Sequence, residues 1–273
     1  MNSRLKRTAT ERGGRPGMSR LRVLTYNVRR CLGVDGIMSP ARIAAVIAEA
    51  QPDIIALQEL DVRRLRSGGV DQAEEIAREL GISFVHFHPA LRVMEEEYGD
   101  AILTARPSRV IKAGALPGLP GRPRLEPRGA LWAAVQVGGT EVNVINTHLG
   151  MRRRERWMQA EMLLGDEWLG SEACQAPLVL TGDFNSFPQG RVYGLLSRRL
   201  RDAHLIGSTM TRPSATFPTQ WPVFRIDHVF VSDDVEVVFA GTHRSGTSAL
   251  ASDHLPLVAD LRLPGSDQTS GVA

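Results

Sequence analysis

The sequence predicts an α/β fold in one domain, built on mixed β-sheets with both parallel and antiparallel neighbours. Three observations carry this. Ten short apolar, strand-like runs alternate with stretches of helical periodicity, which requires at least two sheets or one large one. Between two of those runs, Val137-Gly138-Gly139-Thr140 reads as a hairpin turn, so part of the pairing is antiparallel and a purely parallel sheet is disfavoured. The 273 residues are 42% apolar and 23% charged, too rich in core-formers for a disordered chain. Large α/β folds run past about 250 residues as one unit, and residues 21–264 are read as that unit. Residues 1–20 are expected to be a flexible basic tail and 265–273 a C-terminal tail.

The elements follow in order. The first strand is RVLTYNV (22–28). Ser39 then caps a helix with Pro40 at its first position; Ile43, Val46 and Ile47 share one face, and Pro52 lies beyond its end. DIIALQEL (53–60) is the next strand. Asp71 with Glu74 opens a second helix, which stops at Gly81. SFVHFHP (83–89) and DAILTAR (100–106) are strands, and the turn-rich stretch 117–128 is a long loop. GALWAAVQV (129–137) and VNVINTHL (142–149) flank the hairpin. A helix near 152–169 repeats Trp157, Ala160, Leu164 and Trp168 at helical spacing, so its tryptophans are assigned to the core. PLVLTGDF (177–184) is followed by a second long loop, 207–222, and then by strands at 227–232, 235–241 and 255–263.

Charge and composition exclude several classes. A net charge of +3 invites a nucleic-acid partner, but the first 22 residues carry seven basic side chains against one acid, leaving 26 basic and 29 acidic groups in the rest. The body is therefore acidic overall. No apolar run approaches the roughly 18 residues of a membrane-spanning helix. Cys31 and Cys174 have no metal-binding or redox spacing and are expected to be buried thiols in a reducing compartment. No secretory apolar segment is visible, so a cytoplasmic monomer is expected.

Several apolar runs finish in polar residues. Asn27 follows RVLTY, Glu59 follows IIALQ, Asn146 and His148 lie in VINTHL, and Asp183 and Asn185 in LVLTGDFN. A carboxylate at the end of a buried strand is costly unless it is paired, protonated or bound to a metal. Ends of neighbouring strands share one rim, so these residues are expected to converge. Arg225-Ile226-Asp227-His228 and Ser252-Asp253-His254 add carboxylates and imidazoles beside later strands. Such a supply suits a hard cation held through oxygen and proton movement by histidine.

The ordered set TYNV (25–28), LQE (57–59), YGDAIL (98–103), PRGAL (127–131), NTHL (146–149), GDFN (182–185), RIDH (225–228) and SDH (252–254) resembles the endonuclease/exonuclease/phosphatase superfamily, the deoxyribonuclease-like metallophosphoesterases. The resemblance runs from about residue 21 to 263. It implies a four-layer α/β/β/α sandwich with two mixed β-sheets, and hydrolysis of phosphodiester or phosphomonoester bonds by in-line attack of water. It further implies Glu59 as the principal Mg²⁺ or Mn²⁺ ligand, assisted by Asn27, with Asp253 on or beside the metal. His254, oriented by Asp227, would polarise or deprotonate the attacking water, a task shared with Asp183. Asn185 would hold the water or a phosphate oxygen, and His148 would bind phosphate and help protonate the leaving group. Tyr98 and Arg128 match positions near the phosphate.

Two departures bear on this. Relatives often have Asn where Asp100 stands, and repair-type members usually carry Lys soon after the LQE glutamate, where Leu60-Asp61 stands here. DNA repair is therefore not implied. The substrate is left open between nucleic acid and a phospholipid or sphingomyelin-type headgroup, with a non-catalytic phospholigand-binding module as the alternative of another class. A nuclease needs a basic groove, for which Arg152, Arg153, Arg154 and Arg156 are candidates, although an arginine run opening a helix is more simply read as a solvated face. A lipid headgroup enzyme needs exposed apolar loops, for which 116–120 and 217–224 are candidates.

Overall fold

A computed structural model of the protein describes residues 18–207 and 215–265. Most of both expected tails, and residues 208–214 of the second long loop, lie outside them. Two six-stranded sheets form the body. The first contains β1 (Ser19–Asn27), β2 (Ile54–Val62), β3 (Phe84–Val93), β4 (Glu96–Thr104), β11 (Glu236–Thr242) and β12 (Leu257–Leu263), in the order β11-β12-β1-β2-β4-β3. The second contains β5 (Ser108–Ala115), β6 (Gly129–Val137), β7 (Thr140–His148), β8 (Leu178–Asp183), β9 (Arg201–Asp202) and β10 (Asp227–Val231), in the order β5-β6-β7-β8-β10-β9. Among the described residues only β1–β2 and β7–β8 pair in parallel; both sheets are mixed, as the hairpin at 137–140 required.

Three apolar clusters define four layers. One lies between the sheets and draws Leu21, Val23, Ile54, Ile102, Leu131, Val144, Val179, Val229 and Leu257 from both. A second packs α1 (Pro40–Ala50) and α2 (Gln72–Leu80) on the outer face of the first sheet, through Ile43, Ile47, Ala73, Ile76, Leu24 and Leu57. The third packs α3 (Arg153–Leu164) and α4 (Arg191–Leu196) on the outer face of the second, through Ala160, Leu163, Val192, Leu196, Ile145 and Leu180. Each strand therefore alternates between the inter-sheet layer and a helix layer. Cys31 and Cys174 are consumed by the two outer clusters.

The helix signals hold locally. The Ser39 side chain accepts from Arg42 N–H and Asp71 accepts from Glu74 N–H, while Gly81 closes α2 in the left-handed region at φ 66°. Four expectations are corrected. The body begins at Ser19, inside the stretch assigned to the tail, because Ser19 and Arg20 continue the ladder to Leu263 and Arg262. The eight residues of β5 were missed: this edge strand buries little, so its sequence does not alternate. The third helix stops at Leu164 rather than 169. That moves Trp168 into a following turn, where it is buried, and leaves Trp157 half-buried at the surface instead of in the core.

Candidate active site

Strand periodicity builds the site. In β1, Leu21 and Val23 face the inter-sheet layer, so Asn27, two further steps of two along, ends the strand on that same face. The same parity takes Ile102 to Asp100 in β4, Val144 to Asn146 and His148 in β7, Val179 to Asp183 in β8, and Val229 back to Asp227 in β10. Glu59 has the wrong parity. A bulge between Leu57 and Leu60 corrects it, with Glu59 itself at φ 62°. A non-glycine residue held there costs of order 1–3 kcal/mol, which marks the position as one the surrounding structure imposes.

Beneath the rim, Asn146 ties the sheets together. Its Nδ2 donates to Leu57 O and Ala101 O, both at 2.9 Å, and its Oδ1 accepts from Gln58 Nε2 at 2.7 Å. This residue was grouped with the chemistry in the sequence and belongs instead to the scaffold. Gly182 does similar work: at φ 144°, an added Cβ would lie 1.8 Å from Thr147 O, so only glycine lets β8 approach β7.

Asp183 is the centre of the rim. The β8–β10 register places it opposite Asp227, and the β7–β8 register beside His148. Asn27 Nδ2 donates to Asp183 Oδ2 at 3.1 Å and to Glu59 Oε1 at 2.9 Å, while its Oδ1 accepts from Arg29 N–H at 3.0 Å. Asn27 therefore bridges two carboxylates with its amide nitrogen, and its oxygen is already engaged. That arrangement places Asn27 between the carboxylates of Glu59 and Asp183. Burial and the facing charge of Asp227 raise the Asp183 pKa, against His254 and the hydrogen bonds from Asn185 and Asn27.

His254 Nδ1–H donates to Asp227 Oδ2 at 2.9 Å, and its Nε2 stands 3.7 Å from Asp183 Oδ2. Burial alone would depress its pKa; Asp227, Asp183 and Asp253 outweigh it and raise the imidazole to about 10. His148 is driven the other way, well below its ordinary value, by burial and by the charges of Arg128 and His254. Arg128 Nη1 donates to His148 Nδ1 at 3.0 Å, which leaves Nε2 of the neutral ring as the N–H, 3.5 Å from Asp183 Oδ2. The two histidines are thus shifted in opposite directions, His254 toward the protonated form and His148 toward the neutral one.

The remaining predicted residues surround this centre. Asn185, at φ 48°, has its Nδ2 3.2 Å from His148 Nε2 and donates to Leu149 O at 2.9 Å. Tyr98 is buried on β4, its hydroxyl pKa raised by burial and by Glu59. Arg128, also buried, pairs with Glu126 at 2.7 Å. Asp253 is half-buried and pairs with Arg29 at 3.4 Å. Asp100 is buried and pushed up to about 8 by loss of solvent, with Arg128 opposing. In RIDH, Asp227 enters the site, whereas Arg225 pairs with Asp202 at 2.7 Å and His228 Nε2 donates to Ser186 O at 2.8 Å, both on the outer side. Asp202, the centre of that buried network, carried no sequence signal because its strand is two residues long.

Oxygen atoms of Asp183 and Asp227 and a nitrogen of His254 lie within 4.8 Å of one another, and Asp227 Oδ1 is buried with no hydrogen-bond partner. Two opposed buried carboxylates, with Glu59 held one amide away, are a donor set that suits a hard divalent cation.

A four-layer sandwich whose polar strand ends meet at one rim between the sheets is the deoxyribonuclease-like class of α/β protein. The chain belongs to the Endonuclease/Exonuclease/phosphatase family, whose model matches residues 24–254. Among solved structures it is similar to an endonuclease/exonuclease/phosphatase from Beutenbergia cavernae (TM-score 0.74, 25% identity, 90% of this chain and 72% of that one). It is also similar in fold to a mannosyl-6-phosphatase of Bacteroides thetaiotaomicron (TM-score 0.69, 22% identity, 88% and 99%). Of curated proteins, the uncharacterized protein YbhP of Escherichia coli is 30% identical over 147 residues, which are 50% of this chain and 54% of that protein. The chain thus spans about half the length of the curated relatives it matches.

Proposed function

We propose that this protein is a divalent-metal-dependent phosphoesterase that hydrolyses phosphodiester or phosphomonoester bonds by in-line attack of water. The observation that carries the reading is the arrangement around Asp183: a second carboxylate opposite, a neutral histidine on one side and a charged histidine on the other. Asp227, Asp183 and Asp253 shift His254 toward its protonated form, which suits it to charge stabilisation more than to taking a proton from water. Asp183, with its pKa raised, is the better base. His254, held by Asp227, then supplies positive charge to a phosphate oxygen, and His148 Nε2–H with the Asn185 amide donates to the oxygens that gain charge in the transition state. Arg128 holds the His148 tautomer. A divalent ion, Mg²⁺ or Mn²⁺, would be held by Glu59 and Asp183 with Asp253 nearby, and would supply neutralisation of the phosphate charge.

The test is hydrolysis of bis-p-nitrophenyl phosphate, followed by a panel of DNA, RNA, sphingomyelin, glycerophosphodiesters and inositol phosphates. Turnover with Mg²⁺ or Mn²⁺ that vanishes in EDTA is expected. Binding of phosphorylated ligands without turnover on any member would favour a non-catalytic module instead.

A phospholipid-headgroup substrate is a second reading with its own observation. Trp221, Val223 and Phe224 are 80%, 68% and 44% exposed on the loop that also places Phe217 4.9 Å from His254. Met151, just beyond His148, is 75% exposed. The other candidate loop supports it less, since Leu116 is buried.

A further inference from the structure

The connection between β2 and α2 buries a carboxylate that the mechanism does not use. Asp61, two residues past Glu59, is fully buried. Arg66 meets it with a fork: Nε donates to Oδ2 at 2.8 Å and Nη2 to Oδ1 at 2.7 Å. The fork is not what closes the loop. Arg63 N–H donates to Val70 O and Gly69 N–H to Arg64 O, both at 2.9 Å, and Val62 bridges to Asp71. Nor is a buried ion pair a strong source of stability, because desolvation of the charges offsets most of their attraction. What the fork fixes is the place of the guanidinium. The β2–β4 register, resumed beyond the bulge at Glu59, sets Asp61 opposite Tyr98, so the two side chains stand together on the face that carries Asp100. Arg66 Cζ lies over the Tyr98 ring, 5.4 Å from its centroid. Tyr98 as a whole is only 4% exposed. Its hydroxyl nevertheless has no hydrogen-bond partner among the described residues and is not one of the sealed, unpartnered atoms, so it reaches the open rim. A buried ring pinned under a fixed cation, with a free donor at its tip, is arranged for an acceptor that comes from outside.

We propose that Asp61 and Arg66 are positioning residues that act through Tyr98: the fork locks the guanidinium, the guanidinium locks the ring, and the hydroxyl meets a phosphate oxygen of the substrate along one fixed line. The inference rests on the phosphoesterase reading above, with Tyr98 beside the phosphate. Neither Asp61 nor Arg66 touches the reacting atoms. Their effect falls on kcat, because a donor slightly off its line still admits substrate but stabilises the transition state less. Lysine at 66 would keep the charge and lose the fork, and asparagine at 61 would keep the shape and offer one acceptor oxygen in place of two. Either change releases the ring while the backbone bonds of the loop remain.

The experiment is a double-mutant cycle on the full chain: wild type, Arg66→Lys, Tyr98→Phe and the double variant. Each is assayed for steady-state hydrolysis of bis-p-nitrophenyl phosphate in saturating Mn²⁺, and a thermal melt checks its fold. Arg66→Lys should lower kcat about tenfold with KM within about threefold, and Tyr98→Phe should lower kcat about thirtyfold. The double variant should match Tyr98→Phe alone to within about twofold, because without the hydroxyl Arg66 has nothing to aim. Asp61→Asn should repeat the Arg66→Lys pattern, including its silence in the Tyr98→Phe background, and serves in its place if Arg66→Lys does not fold. Losses that multiply in the double variant would overturn the proposal, since a merely structural pair lowers activity whether or not the hydroxyl is present. So would an unchanged kcat in folded Arg66→Lys. A wild type without turnover would strike down hydrolysis instead, and the same cycle is then read from the affinity for inorganic phosphate in Mn²⁺, where coupled losses uphold the positioning and independent losses overturn it.

Discussion

Asp183, Asp100 and His254 all bind protons more tightly in the folded rim than in the unfolded chain. The sign of the consequence is common to them. A raised folded-state pKa contributes stability that is complete below the unfolded value and is lost as pH rises through the folded one. For Asp100 that window runs from 3.8 to about 8, and for His254 from 6.5 to about 10. Below about pH 6.5 the depressed His148, His204 and His228 act in the opposite sense, so the metal-free protein should melt at progressively lower temperature from pH 7 to 9, as calorimetry in EDTA would record. Asp100→Asn removes a buried carboxylate that nothing requires to be charged, and should raise Tm at pH 8 by roughly 3–8 °C, about 1–2 kcal/mol, with no gain at pH 4. No gain at pH 8 would mean that Asp100 is charged and well paired. Asp227→Asn keeps an acceptor for His254 Nδ1–H but removes the negative charge beside it, and proton NMR should then find the imidazole titrating well below 10.

At the scale of elements, the rim depends on features that hold strands at fixed offsets. Asn146→Ala would leave Leu57 O and Ala101 O buried without donors and should destabilise by about 2–4 kcal/mol in urea unfolding, with an unchanged m-value. A loss below about 0.5 kcal/mol would show that the sheets are held without this tie. Gly182→Ala should be worse still, because the new methyl meets backbone rather than a movable side chain. The sequence announced the strands that build the site because each is buried on both faces and reads as an apolar run ending abruptly in Asn, His or Asp. It announced α1 and α2 through Ser39 and Asp71. It did not announce β5 or β9, whose edge positions need no apolar alternation, nor the end of α3, where Gly165 stops a helix that Trp168 seemed to continue. The cost of that last error was to assign Trp157 to the core, whereas it is half-buried at the surface.

For the whole molecule, the two sheets each carry part of the site: Asn27, Glu59, Tyr98 and Asp100 come from the first and Arg128, His148, Asp183 and Asp227 from the second or its edge. Which residues would meet was legible, because strand ends on one rim have to converge. Their protonation was not, since it depends on charges brought close only by register: Asp227 across from Asp183, Arg128 against His148, Asp253 near His254. That is why the sequence, which separates His254 and His148 by role through the resemblance, leaves open the opposite directions in which their pKa values move. A site that joins the sheets through opposed carboxylates should be strengthened by a cation, so Mn²⁺ should raise Tm in wild type and much less in Asp183→Asn. The most direct measurement is the steady-state rate of bis-p-nitrophenyl phosphate hydrolysis in saturating Mn²⁺ for wild type and Asp183→Asn. A fall of at least about a hundredfold in kcat is predicted, and an unchanged kcat in a folded variant would contradict the account.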